Sequence, residues 1–230
     1  KDSDLASRIT STSSSDNISF LEARNGQIVP AIIINGRKQP LHSTFDPEKE
    51  GEKIAASYTH AGYAIFFGFG GGYHIIPFLR SKEISHILVI DKDETIFRSV
   101  LKRIDLRNLI LDPRVQFLIG ETLDTIKSHF FSTYIPAISG DLQTISLNSR
   151  LRTEPNYFQE VAANLRDCIN TVSDDYTVQS YFGKKWFVNT LSNLPAAERS
   201  TATLRPIRRA LVTGAGPSLE TQITAIKQLH

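Results

Sequence analysis

The sequence predicts an α/β protein with a Rossmann-like parallel sheet covered by helices. Short apolar runs at 64–67, 86–90 and 115–119 alternate with segments of helical period. A glycine turn follows the first run, and an acidic residue ends the second. Strands that alternate with helices at this interval pair in parallel through right-handed crossovers. A small β-meander is expected before this unit, and the truncated start of a second Rossmann-like domain is expected after it.

The composition is that of a globular protein with one or two domains. Of 230 residues, 40% are hydrophobic and 22% are charged, and the net charge of +2 predicts no nucleic-acid partner. The single cysteine, Cys168, excludes an internal disulfide and favours a reducing compartment, so we expect a cytoplasmic location. No apolar run reaches the length of a membrane span, and no histidine pair has metal-ligand spacing, so neither a membrane partner nor a metal site is predicted.

The first 50 residues predict an N-terminal arm and a β-meander. Residues 1–16 are rich in Ser, Asp and Thr without an apolar period, which indicates a loop or a weakly ordered arm. Asn25-Gly26 separates apolar runs, a strong hairpin signal, and Asn35-Gly36 repeats it after the next strand, so a meander is predicted over 18–42. We expect it to be a structural or dimerising appendage, the latter in a homo-oligomer. Asp46-Pro47 then predicts the start of a helix that reaches Tyr58.

Residues 51–195 predict the Rossmann-like domain, with a candidate ligand site at its strand ends. The first strand leads into Gly68-Phe69-Gly70-Gly71-Gly72, where a ligand can approach the backbone, and a helix is expected after it. The second strand ends in Asp91, about twenty residues later, at the position of an acid that holds a ribose diol. The third strand ends at Glu121, which could meet an adenine edge. The candidate residues are Gly68, Gly70, Gly72, Asp91 and Glu121.

This set resembles the cofactor site of S-adenosylmethionine-dependent methyltransferases, and the resemblance implies an S-adenosylmethionine-like ligand. The alternative is a domain that keeps the sheet without its ligand, because a fold does not fix a function. Nothing in the sequence has the pattern of a methyl-acceptor pocket. Among the histidines, His74 has an expected site role because it follows the glycine turn. His42 is either functional or packs between the meander and the sheet.

The second half of the domain predicts a fourth strand and a long helical region. The fourth strand is expected at Ile135–Ile138. Trp186 is expected to anchor a core, with solvated lysines beside it, and residues 196–209 are expected to be a linker. The helical region buries one apolar face, formed by Tyr157, Phe158, Val161, Leu165, Cys168, Ile169 and Val172.

The last segment, residues 210–230, predicts a buried strand, a glycine turn and the start of a helix. The turn is Gly214-Ala215-Gly216-Pro217-Ser218. A helix N-terminus reached through a glycine turn presents free N–H groups to an anion, which suits the phosphate of a nucleotide. An ordinary tight turn is the alternative, since a short glycine pattern is weak evidence. The candidate nucleotide-binding residues are Gly214, Gly216, Pro217, Ser218 and Glu220.

Gly214–Glu220 resembles the signature of the MptE-like family, which contains the motility accessory factors that glycosylate flagellin and the archaeal 6-hydroxymethylpterin diphosphokinases. A similar turn occurs in some bacterial sialyltransferases, against the nucleotide of a CMP-sugar. Upstream, Leu41–Pro47 and Gly68–His74 are similar to the N-terminal domain of the motility accessory factors. Together these segments span most of the chain.

The resemblance implies a transferase that uses a nucleotide donor. The first reading is a glycosyltransferase that moves a nonulosonic acid from its CMP form to Ser or Thr of flagellin. The second is a diphosphokinase that acts on a pterin alcohol with ATP and Mg²⁺. The third is a non-catalytic binding or scaffold domain with a degenerate methyltransferase-like fold. Since one strand and one helix cannot form a doubly wound domain, we expect a fragment whose catalytic residues lie beyond residue 230 and which has no transferase activity alone.

Overall fold

The computed structural model describes residues 3–12, 17–58, 62–199, 216 and 218–227. The chain forms two compact units, Lys1–Asp175 and Tyr176–His230. The first unit contains a three-stranded sheet of order β1-β2-β3 and a four-stranded sheet of order β6-β5-β4-β7. Within the described residues, no helix combines the length and the apolar character that crossing a membrane requires.

The small sheet is the predicted meander. Its strands β1 (Ile18–Glu22), β2 (Ile28–Ile34) and β3 (Arg37–Pro40) pair antiparallel in sequence order. The two Asn-Gly turns contain left-handed residues, with φ of 82° at Gly26, 49° at Asn35 and 74° at Gly36. Such turns need positive φ, which Asn and Gly adopt at low cost. The prediction of a meander over 18–42 is confirmed.

The expectation of a loop or weakly ordered arm at the start of the chain is wrong, because a helix, α1 (Ser3–Ser11), forms there. Leu5 and Ile9 lie four residues apart, so both face the main core, where Leu5 is buried and Ile9 partly buried. Arg8 donates to the carbonyl of Ile119 at 3.0 Å. Short helices are marginal in water by themselves, so tertiary contacts, which a polar segment does not reveal, account for this one.

The four-stranded sheet confirms the predicted α/β class. Strands β4 (Tyr63–Phe67), β5 (His86–Asp91), β6 (Val115–Ile119) and β7 (Leu142–Ser146) are all parallel. Strands β5 and β6 lie on one side of β4, and β7 lies on the other. This is the order of the first four strands of a doubly wound Rossmann-like sheet, with the direction of winding reversed between β4 and β7.

Helices precede, separate and follow these strands along the chain. They are α2 (Pro47–Ala56), a 3-10 helix (Ile76–Arg80), α3 (Glu94–Arg103), α4 (Arg107–Leu111), α5 (Leu123–Thr133), α6 (Pro136–Ser139), α7 (Asn148–Thr153), α8 (Pro155–Arg199) and α9 (Ser218–Lys227). Asp46 caps α2, accepting a hydrogen bond from the Lys49 amide at 3.0 Å, as the sequence predicted. After the glycine turn, where the sequence predicts a helix, the chain forms the short 3-10 helix Ile76–Arg80.

The fourth strand lies later in the chain than predicted. The segment expected to form it is the short helix α6, in which Pro136 occupies the first turn and Gly140, with φ of 68°, follows the last residue. Proline is well tolerated in the first turn of a helix. The true strand, β7, is at the sheet edge, where only Ile145 of its five residues is buried. A strand with so little apolar pattern gives no clear signal in the sequence.

The core of the first unit lies on both faces of the parallel sheet. Ala64 and Phe66 of β4 belong to one cluster, and Tyr63, Ile65 and Phe67 belong to the other, because side chains alternate along a strand. The first part of α8 covers the second face with the predicted apolar side chains, fully or partly buried. These are Tyr157, Phe158, Val161, Leu165, Cys168, Ile169 and Val172.

Helix α8 is 45 residues long and continues through Pro195, so residues 196–199 of the predicted linker are helical. Trp186, in the second unit, was expected to anchor a core. It is 49% exposed and stacks on Phe182 with ring centroids 5.9 Å apart, so among the described residues it is no core anchor. The rest of the predicted linker and the strand expected at 210–213 lie outside the described residues.

Candidate functional site

The candidate site lies at the carboxyl edge of the parallel sheet, where Rossmann-like folds bind their ligands. Strand β4 leads into the glycine turn 68–72, β5 ends in Asp91, and β7 leads into α7. The glycines at 68, 70 and 72 have φ of 90°, 53° and 76°, a backbone that side chains disfavour. The turn therefore has the predicted position, and its backbone is of the kind that glycine favours.

Asp91 forms a buried ion pair with Arg150 of α7. The guanidinium approaches Oδ1 at 2.8 Å through Nη2 and at 3.0 Å through Nε, and the two side chains are 4% and 1% exposed. The backbone amide of Phe69 donates to Oδ2 at 2.8 Å, and that of Lys92 donates to Oδ1 at 2.7 Å. Both carboxylate oxygens are thus engaged by donors from the chain itself, at the position where a ribose diol was expected.

His42 fills the space in front of the glycine turn. Its Nε2 accepts a hydrogen bond from the Gly71 amide at 2.8 Å, so the ring proton is on Nδ1, which donates to Glu50 Oε2 at 3.2 Å. A Cβ atom added to Gly70 would lie 2.5 Å from His42 Nε2 and 2.5 Å from a methyl carbon of Leu147. His42 thus packs between α2 and the glycine turn, and Tyr73 contacts the edge of its ring.

The other glycines of the turn are also in close contact with the protein. The Gly68 amide donates to the Ile90 carbonyl at 2.9 Å, and the Gly72 amide donates to the Phe69 carbonyl at 3.0 Å. A Cβ atom at Gly68 would meet Arg150 Cβ at 2.8 Å. The absence of a side chain at Gly68 and Gly70 therefore permits other parts of the protein to pack against the turn.

His74 supports the turn from beneath. It is completely buried, its Nε2 donates to the Gly68 carbonyl at 3.1 Å, and its ring centroid lies 5.3 Å from that of His42. Burial, helped by the nearby His42, holds the pKa of His74 well below its usual value, so the ring is neutral. A buried neutral histidine bound to a backbone carbonyl has a structural role here, and it does not face the surface where a ligand was expected.

Glu121, the second acidic candidate, is paired with the N-terminal helix. Arg8 Nη2 lies 2.6 Å from Glu121 Oε1, and Arg8 Nε lies 3.1 Å from Glu94 Oε1. These bonds, with a smaller Coulombic contribution from Asp4, outweigh partial burial and raise the pKa of Arg8. The helix that the sequence did not predict thus occupies the position expected for an adenine edge.

The second candidate site is described in part. Helix α9 begins at Ser218, Glu220 lies in its first turn, and the Leu219 amide donates to the Gly216 carbonyl at 3.0 Å. A helix therefore begins where the sequence predicted one. Gly214 and Pro217 lie outside the described residues. Nucleotide binding by this segment stays a prediction.

Two charged residues of the first site have no signal in the sequence. Arg150 belongs to a polar segment with a second arginine, Arg152, and no local pattern distinguishes the one that is buried. Glu50 is one of three glutamates of α2, and its contact with His42 depends on how the meander packs against that helix. In the described part of the chain, no group of three or more His, Cys, Asp or Glu side chains could hold a metal ion.

Comparisons with known proteins find remote similarity. No protein-family model matches the sequence. A stretch of 128 residues, 54% of the chain, is 32% identical to a protein of Treponema pallidum (strain Nichols) that carries the description "Uncharacterized protein", and the match covers 61% of that protein. The chain therefore spans less than two thirds of the length of this relative.

Among solved structures, the chain is similar to the MAf glycosyltransferase from Magnetospirillum magneticum AMB-1. The TM-score is 0.45 at 12% identity, over 70% of this chain and 33% of that one. It is also similar to spermidine synthase from Thermotoga maritima, with a TM-score of 0.39 at 16% identity, over 50% of this chain and 41% of that one. The strand order of this protein itself defines its Rossmann-like class.

Replacing Arg150 with Met should destabilise the first unit by about 3–5 kcal/mol, because it leaves the charge of Asp91 buried without its cation. Adding Asp91→Asn should restore at least about 1 kcal/mol, since the asparagine carries no charge to desolvate. Urea denaturation followed by circular dichroism measures both. The exposed Arg107, which pairs with Asp105, provides the control: Arg107→Met should leave the midpoint unchanged. A double variant no more stable than Arg150→Met would contradict this account.

Acidification should destabilise the first unit through His74. Its folded-state pKa is well below the ordinary value of 6.5, so below that pH the unfolded chain binds a proton that the folded chain does not. The contribution to stability is present above about pH 6.5 and is lost on acidification, by at most about 1.4 kcal/mol per pH unit.

The measurement is the free energy of unfolding between about pH 7.5 and 5.5, above the range in which carboxylates titrate. His74→Gln should flatten the dependence even if it lowers stability at every pH. His86→Gln, at the start of β5, should retain the slope because it leaves His74 in place. An unchanged slope in His74→Gln would show that another group is responsible.

Proposed function

We propose that the first unit is a non-catalytic, Rossmann-like binding domain of a transferase that uses a nucleotide donor. The observation that carries the first half of this proposal is the closure of the cofactor position by the chain's own side chains. Arg150 engages the acid at the end of β5, and His42 engages the glycine turn. Both contacts are buried, so a ligand would have to displace charged or hydrogen-bonded groups to enter.

S-adenosylmethionine does not fit the residues present. A ribose diol needs a free carboxylate oxygen on Asp91, and both oxygens accept hydrogen bonds from protein donors. The cofactor also needs open space at the glycine turn, and Leu147 and His42 lie within 2.5 Å of a Cβ position there. The domain therefore retains the methyltransferase-like sheet while the site has become part of the core.

The support for a nucleotide-donor transferase comes from the second candidate site. Gly216 is followed by a ten-residue helix that begins at Ser218, as a phosphate-binding turn requires. The amino-acid sequences of that turn and of the upstream segments resemble those of the motility accessory factors. We therefore infer a glycosyltransferase that takes a nonulosonic acid from its CMP form, with flagellin as acceptor. The alternative is a diphosphokinase that uses ATP and Mg²⁺, since the same turn is typical of both enzyme classes. A ligand-binding experiment distinguishes the two.

Calorimetric titration should detect no binding of S-adenosylmethionine to the wild-type protein. We expect no saturable heat up to about 1 mM ligand, which corresponds to a binding free energy of about −4 kcal/mol. An active methyltransferase titrated in parallel is the positive control. Saturable binding that Asp91→Asn abolishes would overturn the non-catalytic assignment.

In the full-length gene product, Gly216→Val should abolish binding of the nucleotide donor, because a side chain at this position obstructs approach to the backbone. Calorimetry with CMP, and with ATP in the presence and absence of Mg²⁺, measures the effect. CMP binding that is lost in the variant supports the glycosyltransferase, and Mg²⁺-dependent ATP binding supports the diphosphokinase. Gly183→Val is the control, since a Cβ atom at Gly183 meets nothing within 4 Å. Equal binding by wild type and Gly216→Val would mean that the motif is only a turn.

A further inference from the structure

A cavity of about 490 Å³ lies beside the filled glycine turn, within the first unit. One wall comes from the segment between β3 and α2 with Glu50 of α2, and the other from the carboxyl end of β7 and α7. Its polar lining includes His42, Ser43, Glu50, Ser146, Asn148 and Arg152. Its volume is within the usual range of small-molecule sites, about 300–1,000 Å³.

The cavity lies at a place in the fold where open parallel sheets commonly bind ligands. The strand order reverses between β4 and β7, and in open parallel sheets ligands bind outside the carboxyl ends at such a reversal. Ser146 is the last residue of β7, and Asn148 is the first of α7. The topological crevice is therefore open on the β7 side, although the glycine turn on the β4 side is closed.

Glu50 presents a fixed carboxylate at this cavity. Its Oε2 accepts hydrogen bonds from His42 Nδ1 at 3.2 Å and from the Ser43 amide at 3.0 Å, and its side chain is 35% exposed. Partial burial acts to raise the pKa of Glu50, but these hydrogen bonds outweigh it, and the pKa is lower than usual. Within the described chain, Oε1 has no hydrogen-bond partner. An ionised carboxylate with one free oxygen therefore lines the cavity.

Arg152 supplies a cation on the other wall. It is exposed, and among the described residues it forms no ion pair, in contrast to Arg150 two residues earlier. The polar residues Ser43, Ser146 and Asn148 also line the cavity. Such a lining matches a ligand that carries an anion and several hydroxyl groups, because arginine pairs with carboxylates and hydroxyls both donate and accept.

We propose that this cavity binds a small hydroxylated carboxylate, whose carboxylate pairs with Arg152 and one of whose hydroxyls donates to Glu50 Oε1. The proposal goes beyond the function proposed above, which assigns no ligand to the first unit. The proposed ligand is neither S-adenosylmethionine nor a nucleotide. The proposal is therefore independent of the donor site at Gly216.

Gluconate is the probe, with glucitol and hexanoate as partial analogues. Gluconate carries both a carboxylate and hydroxyls, glucitol lacks the anion, and hexanoate lacks the hydroxyls. Calorimetric titration of the wild-type protein should give saturable gluconate binding at least about tenfold tighter than that of either analogue, which corresponds to about 1.4 kcal/mol. Glu50→Gln and Arg152→Gln should each weaken gluconate binding by about tenfold or more.

Matched controls are available for both variants. Glu52→Gln changes an exposed glutamate of the same helix, outside the cavity, and Arg166→Gln changes an exposed arginine of α8. Both should bind gluconate as the wild type does. The proposal is overturned if gluconate does not bind saturably, if glucitol binds equally well, or if both cavity variants bind as tightly as the controls. Should Glu50→Gln fail to fold by circular dichroism, the exposed Arg152→Gln decides alone.

Discussion

The buried ion pair between Asp91 and Arg150 fixes the carboxyl edge of the sheet. It joins the end of β5 to α7, and the same carboxylate accepts the amide of Phe69, so that three segments meet at one charged group. Removing a carboxylate from water costs several kcal/mol unless a cation and hydrogen bonds replace the solvent. Because all of these partners are present, the glycine turn, β5 and α7 are held in one arrangement.

This arrangement places side chains of the protein at the position where Rossmann-like folds bind a cofactor. In such folds, glycines and a strand-end acid leave room and charge for a cofactor. Here the same residue types accommodate His42, Leu147 and the guanidinium of Arg150. The backbone thus has the geometry of a ligand site, but side chains of the protein occupy the space. A cavity at this edge lies one strand away, beside β7, and charged and polar residues line it.

The second acidic candidate follows the same rule. Glu121 pairs with Arg8, whose guanidinium also reaches Glu94 and the carbonyl of Ile119. Both acids are therefore neutralised by arginines from distant parts of the chain, one before the sheet and one after it. The ion pair between Glu121 and Arg8 of α1 is a long-range contact, and no local pattern around Glu121 indicates it.

The sequence by itself determined the α/β class, the meander, the parallel strands β4 to β6 and the place of the glycine turn after β4. These features depend on local signals, namely Asn-Gly turns, apolar runs and spacing. Only the tertiary structure decided that α1 is a helix and that β7 follows α6, because both elements depend on contacts with the rest of the unit. It also decided the role of Asp91, since whether a carboxylate faces a ligand or Arg150 is determined by a residue that lies 59 positions away in the chain.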